Sequence, residues 1–245
     1  MNTNILFHVP HSSLNIPKKF WKVCIKDNDY ISKSNIFMCD YLIDRLLPDK
    51  CHKVLFKYSR LFCDVEKFKK DSLESMSSKG MGFVYTNDCN GKITNIDRKY
   101  KKIIAKSYYD KHHNKLNKAT INILKKYDKY ILIDLHSFSD QMVNILFDAN
   151  DTPDICIGTD NFFTSKELAN FTMNFFKEFG YNVKFNYPYA GTMVSNCCIN
   201  KKNIHLDSIM LEINKRIYLN NEKQFEKLKD CINKYYKYLS QLNNR

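Results

Sequence analysis

Lys129-Tyr-Ile-Leu-Ile-Asp134-Leu-His136-Ser137-Phe-Ser139 is the stretch whose reading decides the fold. Its apolar run, 130–135, is broken only by Asp134 and is rich in branched residues. It is too short for a helix core, so it predicts a buried strand of an α/β sheet. The strand ends in a carboxylate and an imidazole. In open α/β sheets, ligands bind outside the carboxyl ends of the strands. Two other runs have the same character. Residues 5–9 lead into Pro10-His11-Ser12-Ser13, and Ser208-Ile-Met-Leu-Glu212-Ile-Asn214 carries an acid within an apolar run. Three polar strand ends, far apart in the chain, are expected to converge on one pocket.

Working outward, strand-like runs are expected at 4–9, 53–58, 142–147, 154–159, 182–185 and 209–213. Helices are expected at 32–47, 97–127, 165–179 and 222–242. Ser165 and Gly180 bracket the third helix as an N-cap and a C-terminal stop. In the longest helix Ile104, Tyr108, His112, Leu116, Ala119 and Ile123 trace a buried stripe, so His112 and the adjacent His113 read as structural by periodicity. After 53–58 comes Ser59-Arg60-Leu-Phe-Cys-Asp64-Val-Glu66-Lys67. If this segment is extended, Arg60, Phe62, Asp64 and Glu66 share one face, either as a site or as the polar side of an edge strand. With no internal repeat and no linker, one domain spanning 1–245 is expected, long enough to bury a sizeable core.

The net charge of +13 suggests a nucleic-acid partner, but only five of the 39 basic residues are Arg. The lysines are spread over helix faces and turns, where a binding stripe would concentrate Arg. A positive field still steers small anions inward. The nine cysteines show no C-x-x-C spacing, and the adjacent pair Cys197-Cys198 is poor geometry for a disulfide. Without a signal peptide or a long apolar run, the expectation is a reduced, cytoplasmic protein that does not enter the membrane.

Several residues carry two readings. His8 and His11 are three apart, a spacing that suits two metal ligands in a tight turn, although His8 also fits as a core-facing strand residue. Glu212, flanked by Met210, Leu211 and Ile213, reads as a desolvated general base or as the ion-pair partner of Lys215 or Arg216. Arg60 and Arg216 stand beside candidate site residues, where a planar fork does what Lys cannot.

Taken together, six stretches resemble the N-formylglutamate amidohydrolase family: Val9-Pro-His11-Ser12; Ser59-Arg60-Leu-Phe-Cys-Asp64-Val-Glu66; Gly80-Met-Gly82-Phe-Val-Tyr85-Thr86; Tyr108-Tyr109 with His113 and Leu116; Asp134-Leu-His136-Ser137; and Tyr187-Pro-Tyr-Ala-Gly191. They occur in the family's order from residue 5 to about 220. The resemblance implies a fold similar to that of zinc-dependent exopeptidases: a mixed, largely parallel sheet with helices on both faces. It also implies hydrolysis of an N-formyl amide to formate and glutamate, a closing step of histidine degradation. An activated water would come from a divalent cation of the zinc type. His11, Asp64 and His136 are the expected ligands, with Glu66 or His8 as substitutes for Asp64 and Asp134 as a supporting group. Glu212 is the expected general base. Arg60, Tyr85, His113 and Arg216 are expected to bind a small anionic N-acyl amino acid. Two departures bear on the substrate: Val65, Glu66 and Lys67 stand where many members carry a hydrophobic residue, Asn and Arg, and the loop at 187–192 is poorer in glycine. A different acyl amino acid or a peptide is the alternative substrate. The alternative of another class is a lysine-rich nucleic-acid-binding protein on an inactive hydrolase fold.

Overall fold

The computed structural model describes residues 3–199 and 205–242. Among these, the strands are β1 (Ile5–Val9), β2 (His52–Leu55), β3 (Asn87–Asp88), β4 (Gly91–Lys92), β5 (Lys129–Phe138), β6 (Ile155–Gly158), β7 (Val183–Phe185) and β8 (His205–Asn214). The α-helices are α1 (Lys18–Trp21), α2 (Asn28–Met38), α3 (Arg98–Ile104), α4 (Asp110–Leu124), α5 (Asp140–Phe147), α6 (Lys166–Glu178) and α7 (Glu222–Leu242). The chain divides into two compact units. One comprises 1–9, 42–54 and 116–245, and the other 10–41 and 55–115.

The first unit carries the expected mixed sheet, six-stranded and largely parallel, in the order β2-β1-β5-β8-β6-β7. β5 runs parallel to β1 on one side and to β8 on the other, while β6 is antiparallel to β8 and parallel to β7. Every residue of β5 after Lys129 is buried, which is why its sequence reads as a nearly continuous apolar run. Leu6, Val54, Leu116, Ile123, Tyr130 and Leu132 form one core cluster. Burying each such side chain is worth roughly 1.5–3 kcal/mol. Tyr130, fully buried, keeps its hydroxyl satisfied through Thr120.

The second unit has little sheet, with β3 and β4 forming a short antiparallel pair. Its core is aromatic: Tyr58, Phe62 and Tyr108 meet edge to face at 4.7–5.8 Å, the arrangement ring quadrupoles favour.

Three local expectations need correction. Residues 142–147 are not a strand but most of α5, because the Ser139 hydroxyl accepts from the Met142 N–H and caps a helix there. The helix expected at 32–47 stops at Met38, where Cys39 turns extended and Leu42 takes φ +64°. The segment 59–68 does not alternate: the Phe62 and Cys63 amides both donate to the Ser59 carbonyl, making a tight turn with Leu61, Phe62, Cys63 and Val65 all buried. The long helix at 97–127 is present as α3 and α4, joined through a π-helical turn at Ala105–Tyr109.

Candidate active site

The sheet unit presents one polar cluster. Register pairs His8 with Asp134 across β1 and β5, and His136 with Glu212 across β5 and β8. Side chains alternate along a strand, and register partners in a parallel pair face the same way. His8, Asp134, His136 and Glu212 therefore share one face of the sheet near its carboxyl edge, and all four are buried. Asp134 links the imidazoles: its Oδ1 lies 2.8 Å from His8 Nδ1 and 3.2 Å from His136 Nε2, while its Oδ2 accepts from the Met193 N–H at 3.0 Å. The carboxylate thus orients the His8 ring by a hydrogen bond and lies against the His136 ring, the kind of support that metal-binding and catalytic histidines use.

Glu212 lies between His136 on β5 and Cys156 on β6. Burial, with a contribution from the Glu212 charge, pushes the Cys156 thiol up to about 12. Cys156 is therefore a neutral neighbour whose S–H donates to the Tyr189 carbonyl. The loop carrying Tyr189 comes close to β6: a Cβ at Gly158 would stand 2.3 Å from the Gly191 carbonyl oxygen. That contact explains why a scarce glycine sits at the end of this strand.

The second unit presents a cluster around Asp64. This fully buried carboxylate accepts from His11 Nε2 at 2.8 Å and the Glu66 N–H at 3.1 Å through Oδ1. Through Oδ2 it accepts from Arg60 Nε at 3.1 Å, Arg60 Nη2 at 2.9 Å and Tyr85 Oη at 3.1 Å. Burial alone would raise its pKa, but His11 and Arg60 beside it hold the carboxyl far below its usual range. His11 shows the reciprocal effect. Burial and Arg60 disfavour its charged form, yet Asp64 and Asp40 together keep its pKa above the ordinary value.

Asp40 is the residue that sequence reasoning missed. It is buried, its N–H donates to the His11 carbonyl at 2.9 Å, and its Oδ2 lies 3.7 Å from His11 Nδ1. In the sequence it stood inside an expected helix, and only the early end of α2 brings it to His11.

Of the remaining expected site residues, three hold the Asp64 cluster and its turn, and Arg216 stands apart from both clusters. Arg60 and Tyr85 both bond Asp64, and His113 Nε2 lies 2.7 Å from the Val65 carbonyl. Arg216 belongs to the sheet unit and donates to Asp140 at 2.7 Å, Asp154 at 2.8 Å, and the Thr152 hydroxyl and carbonyl at 2.9 and 3.1 Å. Glu66 lies 3.9 Å from His11 Nε2, while Lys67 turns to Glu74 at 3.2 Å.

A largely parallel sheet with buried imidazole–carboxylate pairs at its carboxyl edge, in a chain that also carries a turn rich in the same groups, is the equipment of a hydrolase. The family model for N-formylglutamate amidohydrolase matches residues 3–219, and the chain belongs to that family. It is accordingly an amidohydrolase, an enzyme acting on a C–N amide bond. Among solved structures it is similar to an N-formylglutamate amidohydrolase from Ralstonia eutropha JMP134. The TM-score is 0.81 at 17% identity, over 96% of this chain and 94% of that one. It is also similar to the gene product Atu2144 from Agrobacterium tumefaciens, with TM-score 0.73 and 19% identity over 97% and 92% of the two chains. A comparison with curated proteins finds no match. Among the described residues no helix is long and apolar enough to cross a membrane.

Proposed function

We propose that this chain is a metal-dependent amidohydrolase that removes the acyl group, formyl first among them, from a small N-acyl amino acid of the glutamate type. The observation that carries the reading is the pairing of His136 with Glu212 across β5 and β8, with Asp134 lying against His136 on the same face. Imidazoles and carboxylates held by buried partners are the donor set of a catalytic zinc-type site. His11 and His136 are the proposed imidazole ligands, completed by a carboxylate from the segment that holds Asp64 and Glu66. A bound divalent cation there would supply an acidified water and an electrophile for the amide oxygen.

The chain's own residues do the rest. Glu212, the proposed general base, takes the water proton as the oxygen adds to the acyl carbon. It returns that proton to the amide nitrogen as the C–N bond breaks, giving the acid and the free amino acid. Asp134 and Asp40 support the two imidazoles. We assign Arg60, Tyr85 and His113 to holding the Asp64–Lys67 turn in place.

The test is formate release from N-formylglutamate, beside a panel of N-acetyl and N-succinyl amino acids, with metal content measured on the same preparations. Glu212→Gln should keep its metal and lose on the order of 10²-fold or more in turnover, the usual weight of a general base. Undiminished turnover in that variant refutes the assignment.

A further inference from the structure

We propose that the groove between residues 55–58 and the helical face 107–115 binds a nucleotide-type anion, a flat ring carrying two or three phosphates. The proposal is independent of the amide hydrolysis above, and none of the groove's residues belongs to either polar cluster.

The groove encloses about 390 Å³ and lies wholly within the second unit. That volume suits a small ligand. Its floor is a ladder of rings. His112 meets Phe56 at 5.2 Å, Phe56 meets Tyr58 at 5.7 Å and Tyr58 meets Tyr108 at 4.9 Å, each edge to face. Two segments build the ladder. The chain just past β2 supplies Phe56 and Tyr58, while the π-helical turn and α4 supply Tyr108 and His112. Aromatic side chains of this kind stack flat rings without regard to base identity, because every base has a π-face.

The rim is cationic. Lys57 stands on one wall and Lys111 and Lys115 on the other, all three exposed. Lys111 and Lys115 are four apart on α4, a like-charge spacing that costs a helix stability. Among the described residues no carboxylate pairs with these three ammonium groups. Other lysines of the same unit are paired: Lys67 with Glu74 at 3.2 Å and Lys101 with Asp71 at 3.3 Å. Asp110, next to Lys111 in the chain, turns instead to Lys69 at 2.6 Å. A cleft lined by one sign of charge focuses its field on an incoming anion, and lysine binds phosphate as a point charge. The hydroxyls of Ser107, Tyr58 and Tyr108 have no protein partner among the described residues and add donors along the same groove. Three cations over a floor of rings match a polyphosphate with an aromatic body. An N-acyl glutamate brings no ring.

The experiment titrates the full chain by calorimetry with ATP, adenosine, inorganic tripolyphosphate and N-formylglutamate. ATP should bind at one site, with adenosine and tripolyphosphate each at least about tenfold weaker. N-formylglutamate should leave ATP affinity unchanged. Replacing Lys57, Lys111 and Lys115 together with serine should weaken ATP by about 100-fold, as expected for lost charge-assisted bonds, with no fall in melting temperature. A control that replaces the exposed Lys166, Lys223 and Lys237 with serine removes the same charge and should stay within about threefold of wild type. Absence of ATP binding, or equal losses in the two triple variants, overturns the site. Tripolyphosphate binding as tightly as ATP overturns the ring's part in it. A single-stranded oligonucleotide that binds far more tightly than ATP through the same three lysines overturns the small ligand in favour of a nucleic-acid surface.

Discussion

Replacing Arg216 with lysine separates two uses of a guanidinium that the sequence alone does not distinguish: clamping a substrate carboxylate and tying the fold together. The Arg216 guanidinium makes four hydrogen bonds, joining the start of α5 through Asp140 and the 150s loop through Thr152 and Asp154 to its own segment just after β8. Lysine can keep one carboxylate but not the fork, so the Thr152 bonds and one ion pair go. Arg216 is a little over a third exposed and Asp140 about half. The lost ion pair is therefore worth at most about 1 kcal/mol after solvent screening. Each lost hydrogen bond contributes about 0.5–1.5 kcal/mol. A total near 2 kcal/mol lowers the melting temperature by about 4–8 °C in a chain of this size. If Arg216 ties the fold, Arg216→Lys should show that drop by calorimetry while KM for the acyl amino acid stays within about two-fold. An unchanged melting temperature with KM raised tenfold or more would falsify the structural role and restore the clamp.

The same variant carries a pH signature. Burial raises the Asp140 carboxyl, but Thr152, Asn214 and Arg216 more than offset it and hold the pKa below 3.8. A group depressed on folding stabilises above its unfolded value and loses that contribution as pH falls through the folded value. The gap in melting temperature between wild type and Arg216→Lys should therefore be full at neutral pH and narrow below about pH 3.8; a constant gap in an acid series counts against the pairing. Gly158→Ala tests the close approach at the end of β6. The new Cβ would sit 2.3 Å from the Gly191 carbonyl oxygen and 2.4 Å from Met210 Cε. The methionine tip can swing aside, but the carbonyl must retreat with its loop, so a loss of about 1–3 kcal/mol in a urea titration is expected. Wild-type stability there would mean that the loop is not seated on β6.

The sheet is legible in the chain because strand length, branched residues and a polar end combine in one local pattern. The stretch 129–139 predicts β5 and the run 208–214 predicts β8; that the two pair in register, with Glu212 opposite His136, comes from the fold. Where a local pattern is ambiguous, tertiary contacts decide. Residues 142–147 have a strand's composition, yet Ser139 caps a helix, and Val143 buries that helix's apolar side. The alternation seen in 59–68 is coincidental, since those side chains are distributed by a turn closed on the Ser59 carbonyl. The site divides along the same line. Its imidazoles and acids stand out by residue type, but the work each does depends on partners far along the chain, 53 positions for His11 and Asp64 and 126 for His8 and Asp134. Asp64 shows why such roles do not follow from motif position alone. Its neighbours in the sequence are a mixed run of acids and bases, and only the fold brings Arg60, Tyr85, His11 and the Glu66 amide onto its two oxygens.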